Sequence, residues 1–169
     1  KILKISLVIG AIIMVAAAAL AKADLVVKFI EGAPKDRFVF INAGACPIID
    51  ASILLDLSPA PSGLIFDTED KGPGIEVFQP LEMIKGADTL NSTPTVKDGE
   101  TAIRLDVVML EPGKTIAFTI DVDDTTSKRG ITVTGSEIAG AQVTLKKSQS
   151  SASSKFSKLA QAIIELNDC

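Results

Sequence analysis

Clusters of Pro, Gly, Asn and Asp interrupt the chain about every ten residues from Asp24 onward. The runs between them are short, and they are either apolar throughout or alternate between apolar and polar residues, as β-strands do. The candidate strands are residues 25–30, 37–42, 51–57, 63–67, 75–79, 102–110, 115–122, 130–134 and 141–146. This pattern predicts a mainly β fold, an antiparallel β-sandwich of the immunoglobulin-like or jelly-roll-like kind.

The alternation is clearest in two neighbouring runs. In residues 115–123 the apolar residues at 116, 118, 120 and 122 share one face, and residues 103, 105, 107 and 109 repeat the pattern. The sequence Glu-Pro-Gly-Lys at 111–114 lies between the two runs and has the composition of a tight turn. The two runs are therefore predicted to pair as a β-hairpin.

The first 23 residues have the three parts of a secretory signal peptide. Lys1 and Lys4 give a basic start, an apolar run covers residues 5–20, and Ala-Lys-Ala precedes Asp24. The competing interpretation is a retained membrane or assembly helix, because residues 2–21 are long enough to span a hydrocarbon core. Both interpretations predict an exported domain that lies in the periplasm, at the cell surface or outside the cell.

Composition excludes several functional classes. The 169 residues suffice for one domain with a core, and they include no His, Trp or Tyr, so imidazole bases, His metal ligands and indole sugar platforms are absent. Without residues 1–23 the chain has 14 basic and 21 acidic residues, a net charge of −7. Such a chain repels nucleic acid. The sequence therefore predicts a protein that is not an enzyme and does not bind nucleic acid.

The C-terminal region differs in composition from the rest. Residues 147–154 are rich in Ser, as flexible linkers are, whereas 24–146 carry the strand pattern. In residues 155–169 the apolar side chains of Phe156, Leu159, Ala160, Ile163 and Ile164 recur at helical spacing. The sequence thus predicts a linker followed by a short amphipathic helix, which either lies on the sandwich or docks on a partner.

The two cysteines, Cys46 and Cys169, are predicted to form a disulfide because the chain is exported. An intermolecular bridge through Cys169, or two free thiols, are the alternatives.

Two acidic groups are candidate cation ligands. One comprises Asp67, Glu69 and Asp70, and the other Asp121, Asp123 and Asp124 at the end of a predicted strand. Calcium prefers several oxygen ligands, which clustered carboxylates on the loops of a sandwich can supply. The alternative is a solvated acidic edge that prevents edge-to-edge aggregation, with no cofactor.

Five segments resemble proteobacterial secreted proteins of the aggregation factor core family. They are EGAPKDRF at 31–38, GLIFDT at 63–68, IEVFQP at 75–80, FTIDVDDT at 118–125 and ITVTGSEIAG at 131–140. The resemblance covers residues 24–145. It implies a role in calcium-assisted cell-surface adhesion, and it implies no catalytic residues.

Two functional hypotheses follow. The first is a non-enzymatic exported β-sandwich for cell-surface adhesion or extracellular assembly, assisted by calcium, with protein partners or self-association. The second is a single-pass structural subunit of a membrane complex or surface filament, which contacts the membrane only if residues 2–21 are retained. A third possibility, an enzyme that uses carboxylates alone, requires two converging acids in a pocket.

Overall fold

The computed structural model describes residues 24–74, 78–126 and 132–166. The predicted signal peptide or N-terminal helix lies outside the described residues. Within the described part no helix is long and apolar enough to cross a membrane. The strands are β1 (Leu25–Ile30), β2 (Asp36–Asn42), β3 (Ile48–Asp56), β4 (Leu64–Asp67), β5 (Glu82–Lys85), β6 (Ala102–Leu110), β7 (Thr115–Asp124), β8 (Gln142–Lys147), β9 (Ser150–Lys155) and β10 (Gln161–Ile164), with one 3-10 turn at Ala87–Thr89.

The strands form two antiparallel sheets. In the first sheet the order is β10-β1-β2-β7-β4, and β5 also pairs with β7. In the second sheet the order is β6-β3-β8-β9. Strands β1 and β6 begin and end at the predicted residues. The mainly β antiparallel sandwich that the alternation predicts is confirmed.

Aromatic rings form the centre of the core between the sheets. Phe38 lies 5.2 Å from Phe29 and 5.6 Å from Phe118, measured between ring centroids, and it also contacts Phe66 and Phe156. Because β2 alternates, Phe38 and Phe40 point inward and are fully buried. Burial of each such side chain contributes about 1.5–3 kcal/mol.

The predicted hairpin of residues 102–110 and 115–122 is wrong. Strand β6 pairs with β3 in the second sheet, whereas β7 pairs with β2 in the first. The turn at 111–114 therefore carries the chain from one sheet to the other. Alternation identifies the buried face of a strand, but it is the same for strands that pair and for strands that face each other across a core.

The predicted linker at 147–154 and the C-terminal helix at 155–169 are also wrong where the structure describes them. Residues 150–155 form β9, which pairs with β8, and residues 161–164 form β10, which pairs with β1. Phe156 is buried, but Leu159, on the expected apolar face of the helix, is 87% exposed. Burial of Phe156, Ala162 and Ile164 in the common core outweighs the local helical spacing.

Two other candidate strands are not strands in their described parts. Residues 78–79 and 132–134 have no regular structure, and the rest of the 75–79 strand and residues 130–131 lie outside the described residues. Strand β5 was not predicted from the sequence. Its four residues are mostly exposed and therefore do not alternate in burial.

Candidate metal centre

Three acidic side chains meet where the end of β4 pairs with β7. Asp67 is the last residue of β4 and pairs with Asp121 of β7. Asp123 follows two residues later and therefore lies on the same face of β7 as Asp121. The inward face of β7 carries the apolar residues 116, 118, 120 and 122, so the acidic residues occupy the opposite face.

These three side chains form a compact group, called here the carboxylate cluster. One oxygen from each of Asp67, Asp121 and Asp123 lies within 4.8 Å of the others. The residues are buried, with 1%, 8% and 2% of their surfaces exposed. The interpretation as a solvated acidic edge therefore does not apply to them, although it describes Glu69 and Asp70, which are exposed.

Burial and mutual repulsion disfavour negative charge in the carboxylate cluster. Burial, followed by the neighbouring carboxyls of Asp98 and Asp123, raises the pKa of Asp67 to about 7. Burial and the charge of Asp123 raise the pKa of Asp121 to about 6. The buried Oδ2 of Asp67 has no hydrogen-bond partner among the described residues. A buried acceptor without a donor is destabilising, and a cation would satisfy it.

A fourth buried acid lies beside the carboxylate cluster. Asp36 begins β2 and is 1% exposed, and its Oδ1 accepts a hydrogen bond of 3.0 Å from the Gly32 N–H. Burial raises the pKa of Asp36 to about 7, the Gly32 hydrogen bond opposes this shift, and the charge of Asp121 adds to it. When it is ionised, Asp36 therefore adds negative potential to the site.

Asp98 holds the segment that follows β4. Its Oδ1 accepts hydrogen bonds from the N–H groups of Thr68 at 2.8 Å and Glu69 at 3.3 Å. Since Asp98 also neighbours Asp67, the loop before β6 is tied to the end of β4 next to the carboxylate cluster.

The chemistry of this arrangement suits a hard cation. One oxygen from each of the three carboxylates lies within 4.8 Å of the other two, so a single cation could contact all three, as calcium does with several oxygen ligands at about 2.3–2.6 Å. Three carboxylates offer up to six oxygens, and calcium takes about six to eight. Asp67, Asp121 and Asp123 could hold such an ion, with backbone or water oxygens completing its coordination.

The structure brings together three of the six acidic residues that the sequence singled out. Asp124 is adjacent to Asp123 but is not part of the cluster, because successive residues of a strand point to opposite faces. Its Oδ1 accepts a hydrogen bond of 2.8 Å from the Thr126 N–H and so stabilises the turn after β7. Glu69 and Asp70 lie on the exposed segment beyond β4.

Sequence reasoning missed Asp36 and Asp98. Asp36 had a usable signal, since it shares the inward phase of Phe38 and Phe40 in the same strand, and a charge at an inward position is unusual. No sequence signal identifies Asp98, because it is a loop residue 31 positions after Asp67 and approaches Asp67 only in the tertiary fold.

The predicted disulfide stays a prediction. Cys46 is half-buried and its carbonyl oxygen accepts a hydrogen bond of 2.9 Å from Asn42 Nδ2. Cys169 lies outside the described residues.

Comparisons with known proteins find no matching family model and no matching curated protein. One similar solved structure is the carbohydrate-binding module CBM3b from the cellulosomal cellobiohydrolase 9A of Clostridium thermocellum. It is 16% identical, with a TM-score of 0.35, over 76% of this chain and 94% of that chain. Another is a biomass-sensing module from Rsgi-like proteins of the same organism, 14% identical with a TM-score of 0.33 over 74% and 93% of the two chains. TM-scores of this size transfer neither a ligand nor a residue role.

Proposed function

We propose that this protein is a non-enzymatic exported β-sandwich that binds calcium at Asp67, Asp121 and Asp123 and serves in cell-surface adhesion or extracellular assembly. The observation that carries the calcium site is the buried Oδ2 of Asp67, which has no hydrogen-bond partner within residues 24–74, 78–126 and 132–166 and lies beside two further buried carboxylates. Protonation or a bound cation would relieve the repulsion among these groups, and a divalent cation also supplies the missing partner.

Calcium at this position would cross-link two parts of the first sheet. Asp67 is the last residue of β4 and pairs with Asp121 of β7, so one ion would link the end of β4 to β7. Because the segment between β4 and β5 starts at this point, calcium would stabilise the edge of the first sheet at β4.

Burial argues against carboxylate-only catalysis. Asp67 and Asp123 are 1% and 2% exposed, so a polysaccharide or peptide substrate would not reach them in this arrangement. An acid–base pair needs contact with its substrate at hydrogen-bond distance. A cation-holding role requires only that the ion enter.

Adjacent residues of β7 give a matched test of the calcium site. Isothermal titration calorimetry of metal-stripped protein should show calcium binding that Asp123→Asn weakens at least tenfold. Asp124→Asn should leave it unchanged, because Asp124 is outside the cluster and Asn keeps the acceptor for the Thr126 N–H. Absence of heat with the wild type, or equal effects of the two substitutions, would contradict the proposed site. Magnesium titrated in parallel identifies the preferred ion.

The adhesive role rests on the predicted export and on the resemblance to aggregation factor core proteins. Beads coated with the purified protein should cluster in calcium and disperse in a chelator, whereas beads coated with the Asp123→Asn variant should remain dispersed in both. If wild-type beads stay dispersed at every calcium concentration, the protein is not a calcium-dependent adhesin of this kind.

A further inference from the structure

The turn at residues 72–74 fits closely over the carboxylate cluster. An added Cβ on Gly74 would lie 2.6 Å from Asp67 Oδ2 and 2.8 Å from Asp123 Oδ2. The Gly74 backbone therefore approaches two of the three candidate ligands as closely as only a glycine allows. Its φ of +108° is also a conformation that glycine adopts without strain.

The same turn fits against the loop that carries Asp98. Gly72 packs against the Asp98 carboxylate, and an added Cβ on Gly99 would lie 2.7 Å from Cγ of Pro73. The turn at residues 72–74 thus contacts both the carboxylate cluster and the neighbouring loop at residues 98–99. The three residues themselves are exposed, so they form the outer wall between the cluster and solvent.

We propose that the turn at residues 72–74 closes the cation site, so that calcium occupancy fixes this turn on the surface of the sandwich. This inference rests on the proposed calcium site. Repulsion among the carboxylates loosens the wall when the ion is absent, because Gly74 contacts the oxygens of Asp67 and Asp123. When the ion is bound, those oxygens point toward it, and residues 72–74 pack on a neutralised surface.

Closure of this turn can be measured by proteolysis, independently of the affinity for calcium. Lys71 is exposed and directly precedes the turn, so trypsin can cleave between Lys71 and Gly72 once the segment detaches. Calcium should slow cleavage after Lys71 at least tenfold in the wild-type protein. Cleavage after Lys158, which is exposed in the connection between β9 and β10, should keep its rate and serves as the internal control.

Two glycine substitutions separate closure from backbone strain. Gly74→Ala places a methyl group against the ligand oxygens, whereas Gly113→Ala also puts an alanine at a positive φ, +74°, but where no atom lies within 4 Å of the new Cβ. We expect Gly74→Ala to weaken calcium binding at least tenfold and to abolish the calcium protection of Lys71. Gly113→Ala should bind calcium as the wild type does.

The outcomes distinguish this inference from the proposed function. If the wild type binds calcium but cleavage after Lys71 is the same with and without it, the turn is not a closing element and the calcium site stands. Equal calcium affinities of Gly74→Ala and Gly113→Ala lead to the same conclusion. If the wild type binds no calcium, the proposed function fails first. The protease measurement on wild-type protein decides the matter even if Gly74→Ala does not fold.

Discussion

At the scale of single residues, Asn42 links the two sheets at the point where the chain crosses between them. Its Nδ2 donates to the carbonyls of Leu110 at 2.8 Å and Cys46 at 2.9 Å, and its Oδ1 accepts from the Gly44 N–H at 3.0 Å. The side chain is fully buried. The hydrogen bond to the Leu110 carbonyl is buried, and an unpaired polar group at such a position is destabilising.

Asn42→Asp should therefore destabilise the protein by about 2–4 kcal/mol, because the nearly isosteric carboxyl cannot satisfy both carbonyl acceptors and its charge would be buried. Urea unfolding followed by circular dichroism measures the change. Asn91→Asp, at an exposed position, is the control and should change the stability by less than about 0.5 kcal/mol. Equal losses in the two variants would show that the Asn42 hydrogen bonds do not stabilise the crossing.

The raised pKa values of Asp36 and Asp67 predict how the metal-stripped protein responds to pH. Both pKa values rise from 3.8 in the unfolded chain to about 7 in the folded protein. Between these values the unfolded state loses its protons while the folded state keeps them, so the free energy of unfolding should fall as the pH rises from 4 to 7. Below pH 4 both states are protonated, and above about pH 8 both are ionised, so these groups then contribute no further slope.

Asp36→Asn should make that slope shallower, because its side chain cannot ionise. The full shift of one such group corresponds to about 4 kcal/mol between the two pKa values. Thermal unfolding at half-unit pH intervals, with no divalent cation present, measures the slope for both proteins. A stability that rises from pH 4 to pH 7 in the wild type, or an unchanged slope in the variant, would contradict the assignment.

At the scale of secondary-structure elements, alternation predicts strands well and their partners poorly. The bounds of β1 and β6 match the predicted ranges. In β6 the predicted inward position of Met109 is wrong, because the alternation breaks at the end of the strand, where Met109 is exposed and Leu110 is buried. The same alternation in β7 places Asp121 and Asp123 on the face opposite the apolar residues 116, 118, 120 and 122. Alternation does not predict that Asp67 of β4 pairs with Asp121 of β7, because strand pairing depends on contacts between residues distant in sequence.

Strand β9 shows why composition misleads at this scale. Its Ser-rich sequence is typical of a linker, yet an edge strand needs only backbone pairing on one side and a few modest side-chain contacts. Thr144 and Ser153 supply one such contact, a hydroxyl pair 2.7 Å apart across β8 and β9. Ala152 packs against the core from the same strand.

Hydrogen exchange distinguishes a strand from a linker in this segment. The amides of β9 that bond to β8 should be protected from exchange, alternating with unprotected amides that face solvent along the open edge. A flexible linker would exchange uniformly and fast. Two-dimensional nuclear magnetic resonance spectra recorded after transfer into deuterated water read each amide separately. Uniform loss of the signals from residues 150–155 within the first spectrum would contradict the β9 assignment.

At the scale of the whole molecule, Asp24 joins the first and last described segments of the chain by hydrogen bonds. Asp24 Oδ2 accepts a hydrogen bond of 2.5 Å from the Leu166 N–H, and the Asp24 carbonyl accepts one of 3.1 Å from the Ala43 N–H. Leu166 is three residues before Cys169, and Ala43 is three residues before Cys46. The segments that lead to the two cysteines are thus neighbours in space, which supports the predicted disulfide.

An internal disulfide between Cys46 and Cys169 would close a loop of more than about 100 residues, for which chain entropy gives about 4–5 kcal/mol of stabilisation. Reduction should therefore lower the midpoint of urea unfolding of the wild type and raise its intact mass by about two daltons. The Cys46→Ser/Cys169→Ser double variant should unfold like the reduced wild type and should not respond to reductant.

Single substitutions separate the alternatives, because an intermolecular bridge would appear as a dimer that Cys169→Ser abolishes on a non-reducing gel. A wild-type mass that does not change on reduction would show that both thiols are free and that hydrogen bonds such as those of Asp24 hold the two segments together without a covalent link.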